Sequence, residues 1–298
     1  MKPTESLSQD TTAVAASLAV MIEKEHTIYT CKGYLDPSDT IIITADDRMA
    51  LVDWCYDFVD HCHISREVVA SAMEMVDRFL SIPSQVTHLA LHNRKVFQLL
   101  TIAALYSSIK VNETLAVGST FFSEMSHSAY TAEEIENMEL TLLIGLSWRC
   151  HAPTAHQVGL SILSLILPYV DIPEVTWGFL MDEMQYLTEL AVRDYYLSTQ
   201  RASTVALAAI LKASNELDIQ PLQDFMKAFS SILIDFGFED IDRLIVGKEK
   251  LASLIVEDPT EIKEEAEEHN LIIESDNQCA SLETRMSLSP MTTAITLR

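Results

Sequence analysis

The chain has 298 residues, of which 48% are hydrophobic, so it is long enough for one large or two ordinary domains with a real core. Its formal net charge of −24 argues against non-specific binding to nucleic acids or anionic membranes, which requires a basic surface. With only 7 glycines and 9 prolines, a loop-rich all-β fold is not expected.

The five cysteines are scattered and show no C-x-x-C spacing, which favours reduced thiols over a disulfide framework. Residues 13–20 are apolar, but this run is short and follows acidic rather than basic residues, so we predict no signal peptide. No run approaches the roughly 18–20 apolar residues that a membrane-spanning helix requires. We therefore expect a protein of the nucleus and cytoplasm that has neither a membrane nor a nucleic acid as its partner.

The first 44 residues are predicted to form an N-terminal arm with one short helix over residues 13–25. The apolar side chains of this helix recur on one side, which favours packing on the main body. Residues 1–10 are polar and are predicted to be loose. Residues 26–44 contain glycine, proline and a β-branched run, and are predicted to be a connector.

Residues 45–150 show the helical period of apolar residues in five successive segments. Asp46 or Asp47 is predicted to cap the first segment, and Ser65 the second. Thr131 opens a Thr-x-x-Glu capping-box match at the start of the fifth. A long loop is predicted between the second and third segments. The five predicted helices cover residues 46–62, 65–80, 96–113, 119–125 and 131–146.

The helix predicted at 96–113 is the centre of this first set. Its apolar residues cover nearly the whole circumference, and one face narrows from Leu-Leu to Ala-Ala to Ser-Ser. Small side chains allow neighbouring helices to approach to the lower end of the usual ~8–10 Å. We therefore predict a buried helix whose last turn carries Lys110 out of the core. There the ammonium complements the helix dipole and is free to meet a partner.

A linker predicted at 148–153 leads to a second helical set. Its third segment, 201–216, is again rich in small residues, so a five-helix pattern with a small-residue central helix repeats at a period of about 100 residues. This repeat predicts two consecutive helical domains, 45–150 and 151–256. The predicted helices of the second set cover residues 154–167, 174–197, 201–216, 221–235 and 240–255.

From residue 257 the sequence becomes acidic and then rich in serine and threonine, without a packing pattern. We predict that residues 257–298 are a disordered tail that regulates lifetime rather than activity. Ser289 precedes Pro290 and is a minimal proline-directed phosphorylation site, where phosphate would add a charge of about −1.5 to −2. The alternative is an inert tail that only aids solubility.

No catalytic or metal-binding set can be assembled from the sequence. His61, Cys62 and His63 are adjacent, but adjacent positions on a helix point in different directions, and no second ligand cluster lies nearby. The acidic pair at 46–47 is better explained as a helix cap than as a metal site. A glycine-rich phosphate loop is absent. We therefore predict no catalytic residues, no metal and no cofactor.

Four motifs of the first set, in order, resemble those of the cyclin family. Residues 48–54, Arg-Met-Ala-Leu-Val-Asp-Trp, are similar to the Met-Arg-Ala-Ile-Leu-Val-Asp-Trp that opens a cyclin box. Residues 77–81 resemble Leu-Asp-Arg-Phe-Leu-Ser, 99–113 resemble Gln-Leu-Val-x-x-x-Ala-x-x-x-Ala-Ser-Lys-Tyr-Glu-Glu, and 138–142 resemble Met-Glu-x-x-Ile/Leu. Residues 203–209 match the second box moderately. The resemblance implies an all-α fold of two tandem five-helix cyclin boxes.

The resemblance also implies a partner and the residues that meet it. In the family, the positions of Lys110 and Glu139 face a cyclin-dependent protein kinase and bond its backbone, and Glu113 belongs to the same motif. The chemistry fits, because an ammonium can bond carbonyls and a carboxylate can accept backbone N–H groups. Arg48 and Asp77 are implied to pair with each other inside the first box.

A substrate-docking patch is implied as well. Asp47 and Ala50 stand where the family has methionine and isoleucine, and a charge and a shortened side chain should weaken the docking of Arg-x-Leu peptides. Substrate proteins with docking peptides are therefore only possible partners. The residues of this patch are Leu51, Trp54, Asp57 and Gln98.

The predicted function is that of a cyclin, which binds the αC helix of a cyclin-dependent kinase and activates it in cell-cycle control. Such a protein is a regulatory subunit and not an enzyme. The alternative is a cyclin-like helical adaptor, or a transcription-associated protein of the same fold without a cell-cycle role. An adaptor that binds DNA should carry basic residues on the second set, whereas residues 154–255 are rich in acids.

Overall fold

The computed structural model of the protein describes residues 3–35, 41–114, 117–238 and 241–257, and within these ranges its regular structure is entirely helical. Two 3-10 turns, Leu167–Tyr169 and Ser214–Glu216, follow the helices that end at Ile166 and Ala213. The helices are α1 Pro3–Thr27, α2 Ala45–His61, α3 Glu67–Leu80, α4 Gln85–Leu91, α5 Arg94–Asn112, α6 Ser119–Met125, α7 Ala132–Gly145, α8 Ala155–Ile166, α9 Glu174–Arg193, α10 Tyr195–Ser198, α11 Ala202–Ala213, α12 Ile219–Asp235 and α13 Ile241–Glu257.

The buried hydrophobic residues fall into two clusters, one in each half of the chain. Helices α2 to α7 build the first cluster, which includes Trp54, Phe79 and Leu142. Helices α8 to α13, together with α1, build the second cluster, which includes Phe225 and Phe229. Each amphipathic helix buries its apolar face in one of these two cores, and this burial is the main stabilising contribution to such a fold.

Helix α5 is the centre of the first half, as the sequence predicts. It packs against α3 and α7, and its Ala103 has no exposed surface. The small residues allow α5 to approach α3 closely. Ser108 Oγ accordingly lies 2.9 Å from the backbone oxygen of Val68 on α3 and donates a hydrogen bond to it. Leu99 lies at the edge of the face that the sequence predicts to be buried, and it is only partly buried.

Thr44 is the N-cap of α2, so the prediction that Asp46 or Asp47 caps this helix is wrong. The backbone N–H of Asp47 donates to Thr44 Oγ1 at 3.1 Å, and Asp47 Oδ2 accepts from the backbone N–H of Thr44 at 3.0 Å. Asp47 is therefore the other half of a capping box. The predicted Ser65 cap of α3 is also wrong, because Arg66 is the N-cap and makes no capping hydrogen bond through its side chain.

The predicted long loop between α3 and α5 contains α4, so the first half has six described helices after α1 instead of five. Pro83 lies just before α4, and the interruption that it marks after α3 led to the prediction of a loop that continues up to α5. Ser84 caps α4 by accepting from the backbone N–H of Thr87 at 3.0 Å. At α7 the predicted capping box is confirmed, since the backbone N–H of Glu134 donates to Thr131 Oγ1 at 3.2 Å.

Helix α1 packs on the second half, although it precedes the first half in the chain. It is longer than the predicted 13–25, it lies along α8, and its Leu18 is fully buried in the second cluster. Glu25, in its last turn, accepts hydrogen bonds from the backbone N–H and the hydroxyl of Ser203 at the start of α11. Burial raises the pKa of Glu25, while these two hydrogen bonds act in the opposite direction. The end of α1 is thereby fixed to the second half.

A cavity of about 420 Å³ lies between the two halves, bordered by the end of α1 and by α3, α9 and α11. Glu74 on α3 lines this cavity and forms an ion pair with Arg78, in which Oε1 lies 2.8 Å from Nε. Burial raises the pKa of Glu74 from its ordinary 4.5 to about 7, although the neighbouring guanidinium acts against this rise. Glu74 therefore binds its proton more tightly in the folded chain than in the unfolded chain.

We expect Glu74→Gln to make the stability of the protein less dependent on pH. A carboxyl whose pKa is raised on folding stabilises the fold fully below its unfolded pKa, near 4.5, and this contribution disappears as the pH rises through about 7. Glutamine does not titrate. Thermal unfolding between pH 5 and pH 8 should show a smaller fall in Tm for Glu74→Gln than for the unchanged chain. Exposed Glu133→Gln is the control, and equal falls for all three proteins would contradict the expectation.

Candidate functional site

Lys110 and Glu139 are 29 positions apart in the sequence, and the structure brings them into direct contact. Lys110 Nζ lies 2.9 Å from both carboxylate oxygens of Glu139. Ser107 Oγ donates to Glu139 Oε1 at 2.8 Å, and the ammonium also lies 4.5 Å from the centre of the Tyr106 ring. The side chain of Lys110 is 43% exposed, whereas that of Glu139 is 10% exposed. In this pair the ammonium of Lys110 is therefore open to solvent, whereas the carboxylate of Glu139 is buried and held in place by Ser107.

The environment keeps Lys110 charged. Burial lowers the pKa of Lys110, but the hydrogen bond and the charge of Glu139 outweigh burial, so the pKa is raised. The ammonium has three N–H donors and remains partly open to solvent. A partner that supplies carbonyl oxygens can therefore bind at this position by charge-assisted hydrogen bonds.

Exposed apolar side chains lie on α7, the helix that also carries Glu139, and just beyond its end. Leu140 is 49% exposed, Ile144 is 60% exposed and Trp148 is 66% exposed. Leu140 and Ile144 are four positions apart on α7 and so share one helical face, whereas Trp148 lies three residues beyond the end of the helix. Val111, next to Lys110 at the end of α5, is 39% exposed. We call Lys110, Val111, Leu140, Ile144 and Trp148 the Trp148 surface.

The backbone after α7 turns Trp148 outward. Ser147 and Trp148 have φ values of 52° and 60°, in the left-handed region that bulky residues rarely adopt. The backbone N–H of Trp148 donates to the oxygen of Leu143 at 2.8 Å, which holds this turn. Strained residues of this kind are concentrated at functional sites. A strained tryptophan that is mostly exposed is therefore a candidate anchor for a partner.

The sequence analysis did not identify Leu140, Ile144 or Trp148 as site residues, because it assigned Trp148 to a linker. One signal was available. Helix α7 has more apolar residues than its inward stripe of Ile135, Met138 and Leu142 requires. The surplus residues are the ones that the structure exposes.

Glu113, predicted to share the site with Lys110 and Glu139, makes its own contact with the backbone at the start of α3. It is the C-cap residue of α5, and its Oε1 accepts from the backbone N–H of Ser65 at 3.2 Å. This contact ties the end of α5 to the start of α3. Glu113 lies one turn beyond Lys110 and stays partly exposed, but its hydrogen bond to Ser65 is structural.

Arg48 and Asp77 form a buried bidentate ion pair, with Nε 2.8 Å from Oδ1 and Nη2 2.6 Å from Oδ2. Burial lowers the pKa of Arg48, but the carboxylate of Asp77 outweighs burial and raises it. Tyr34 Oη donates to Asp77 Oδ1 at 2.7 Å. Arg48 Nη1 donates to the backbone oxygen of Val192 on α9 at 2.6 Å. The pair therefore also connects the first half to the second, which the sequence did not indicate.

The structure does not place the four predicted docking-patch residues on one open surface. Leu51 and Trp54 are each 1% exposed, and Gln98 is 5% exposed and accepts from Tyr130 Oη at 2.9 Å. Asp57 is exposed, and its pKa is raised by partial burial and by the neighbouring carboxylates of α2.

Asp47, which replaces an apolar residue of the family, is fully engaged within the chain. Besides its capping box, its carboxylate accepts from Arg94 Nε at 3.0 Å and from Arg94 Nη2 at 3.2 Å. An ion pair therefore joins α2 and α5 at the position where the family has an apolar residue.

Ser289 lies outside the described residues. Within the described residues, no helix combines the length and the apolar character that crossing a membrane demands.

Comparison with known proteins identifies what this arrangement resembles. Residues 16–151 match the family model described as "Cyclin, N-terminal domain", and the match begins within α1, before the predicted start at 45. The G2/mitotic-specific cyclin S13-7 of Glycine max is 26% identical over 200 residues, which is 67% of this chain and 72% of that protein. Cyclin-B1-1 of Oryza sativa subsp. japonica is 28% identical over 193 residues, which is 63% of this chain but only 39% of that protein.

The G2/mitotic-specific cyclin C13-1 of Daucus carota is 27% identical over 153 residues, 51% of this chain and 42% of that protein. The chain thus matches less than half of the length of several curated relatives. Among solved structures, a viral cyclin from herpesvirus saimiri superimposes with a TM-score of 0.58 at 16% identity. That superposition covers 80% of this chain and 97% of the viral chain, so the likeness in fold extends over both halves.

Proposed function

Because this chain is a cyclin-family protein, we propose that it is the regulatory subunit of a cyclin-dependent protein kinase and activates that kinase through the Trp148 surface. One observation carries this proposal. Helix α7 and its C-terminal end carry both the carboxylate that holds the exposed ammonium of Lys110 and a set of exposed large apolar side chains, all within the cyclin N-terminal domain. Soluble chains rarely expose contiguous large apolar side chains unless they bind a partner there.

The exposed apolar side chains supply the binding energy in this proposal. Ile144 and Trp148 pack against the apolar face of the kinase αC helix and remove that surface from water. Activation needs the αC glutamate to reach the lysine of strand β3 before phosphoryl transfer proceeds. The cyclin binds the arrangement in which this pair is formed more tightly than the other arrangements, so it shifts the kinase population towards activity.

The ion pair supplies orientation. Lys110 donates to backbone oxygens of the kinase, and Glu139, already held by Ser107, keeps the ammonium in place. The relatives that are named G2/mitotic-specific cyclins support a role in cell-cycle control. We propose the nucleus and cytoplasm as the place of this role. The chain itself contributes no catalytic group in this proposal.

We expect Ile144→Ser combined with Trp148→Ser to weaken kinase binding by at least about tenfold, since buried apolar anchors carry most of the energy of an interface. Folding should be nearly unchanged, because exposed substitutions usually alter stability by less than about 0.5 kcal/mol. The measurement uses a panel of purified cyclin-dependent kinases. Their affinity is determined by surface plasmon resonance and their activation by phosphate transfer to a peptide.

Ile234→Ser is the matched control, because Ile234 on α12 is 79% exposed but lies on the second half. It should leave kinase binding and activation unchanged. Lys110→Met should also weaken binding, with Lys110→Arg restoring part of it. If no kinase of the panel binds the unchanged chain, the regulatory role is refuted and the adaptor role remains. If the double variant activates normally, the Trp148 surface is not the kinase site.

A further inference from the structure

A second group of exposed apolar side chains lies on the second half, from the end of α8 to the first turns of α9. The exposed fractions are 48% for Leu167, 75% for Tyr169, 85% for Val175 and 49% for Phe179. Val175 and Phe179 are four positions apart on α9, so they share a helical face about 5–6 Å apart. We call these four residues the α9 surface. None of them belongs to the Trp148 surface, which lies on the first half.

The charged residues of this stretch are all acidic. Asp171, Glu174 and Asp182 are exposed, and residues 167–182 contain neither lysine nor arginine. Asp182 continues the stripe of Val175 and Phe179 on the same face of α9, seven positions after Val175. Negative charge therefore lies between Tyr169 and Val175 and again beyond Phe179.

This charge distribution selects among possible occupants. A second copy of the chain would bring the same acidic residues face to face, and like charges across an interface are unfavourable. An anionic lipid surface is disfavoured for the same reason. A partner that offers apolar side chains between lysines or arginines satisfies both features of the surface. Two anchors at the i, i+4 spacing are matched by an amphipathic helix.

We propose that the α9 surface docks a basic amphipathic helix of a partner protein. The apolar residues of that helix cover Val175, Phe179 and Tyr169. Its lysines or arginines face Asp171, Glu174 and Asp182. This docking is independent of the kinase contact, so a protein bound there can be held beside a kinase that occupies the first half.

The probe for this proposal is a fluorescein-labelled synthetic helix of about 18 residues, with leucines along one face and lysines elsewhere. Its affinity for the full chain is measured by fluorescence anisotropy. We expect Val175→Ser combined with Phe179→Ser to weaken binding at least about tenfold. Replacing the three acids, with Asp171→Asn, Glu174→Gln and Asp182→Asn, should weaken binding and flatten its salt dependence.

The matched control is Ile234→Ser on α12, an apolar side chain that is 79% exposed and belongs to neither surface, and this change should leave the peptide affinity unchanged. Circular dichroism verifies that every variant is folded. Unchanged affinity in the Val175 and Phe179 variant would overturn the proposal, and so would equal binding of a peptide with glutamates in place of the lysines. Sedimentation velocity provides a third check. A dimer that these two substitutions dissociate would identify a second copy as the occupant.

Discussion

Replacing Ala103 with glutamate will prevent the first half of the chain from folding. Ala103 has no exposed surface and lies in α5, between α3 and α7. Beyond the Cβ that alanine already has, a glutamate adds a methylene group and a carboxylate in a space that the packed helices already fill. Burying an unpaired charge is far more costly than the few kcal/mol that a single core contact contributes. The total stability of a domain is only about 5–15 kcal/mol, so the folded state of the first half is lost.

The measurement is thermal unfolding followed by circular dichroism, with size-exclusion chromatography to detect aggregation. Ala19→Glu makes the same chemical change at an exposed position of α1 and should leave Tm nearly unchanged. Ala103→Leu separates size from charge, and overpacking alone should cost about 1–3 kcal/mol. A Tm of Ala103→Glu within about 2 °C of the unchanged chain would mean that α5 is not the central helix.

The helices that pack most tightly were the most predictable from the sequence. Helix α5 shows its period over 19 residues, and its small-residue face indicates close neighbours. Helix α4 was missed because Pro83, shortly after α3, indicated a loop that was predicted to continue to α5. The cap of α2 was misassigned for a local reason. Thr44 and Asp47 both belong to the capping box, and both residue types are common N-caps. The sequence alone therefore does not show which of the two begins the helix.

The candidate site was predictable only in part. The resemblance singled out Lys110 and Glu139, but their mutual contact depends on how α5 and α7 lie against each other, which a periodic pattern does not specify. Trp148 was missed because the sequence analysis assigned it to a linker, whereas its exposure and the left-handed backbone at 147 and 148 are visible only in the structure. Leu51 and Trp54 lie on the apolar stripe of α2, so their burial follows from the sequence, whereas the burial of Gln98 depends on the packing of neighbouring helices.

Removing Arg48 is the second change for which we expect a large effect. Arg48→Ala leaves the carboxylate of Asp77 buried, with the hydroxyl of Tyr34 as its remaining described donor. It also removes the hydrogen bond from Arg48 to Val192, which joins the two halves. Breaking a buried ion pair from one side typically costs about 3–5 kcal/mol, because the remaining charge is not compensated. Urea denaturation gives the free energy of unfolding directly.

Two further variants determine whether the lone charge is the cause. Arg48→Met combined with Asp77→Asn removes both charges at once, and the asparagine oxygen can still accept from Tyr34, so we expect this double variant to be more stable than Arg48→Ala. Arg66→Ala is the control, because the Arg66 side chain is 39% exposed and its ion pair with Glu189 should contribute less than about 1 kcal/mol. Equal losses of unfolding free energy for Arg48→Ala and Arg66→Ala would contradict the conclusion that the buried ion pair holds the two halves together. A double variant no more stable than Arg48→Ala would instead assign the loss to the contact with Val192.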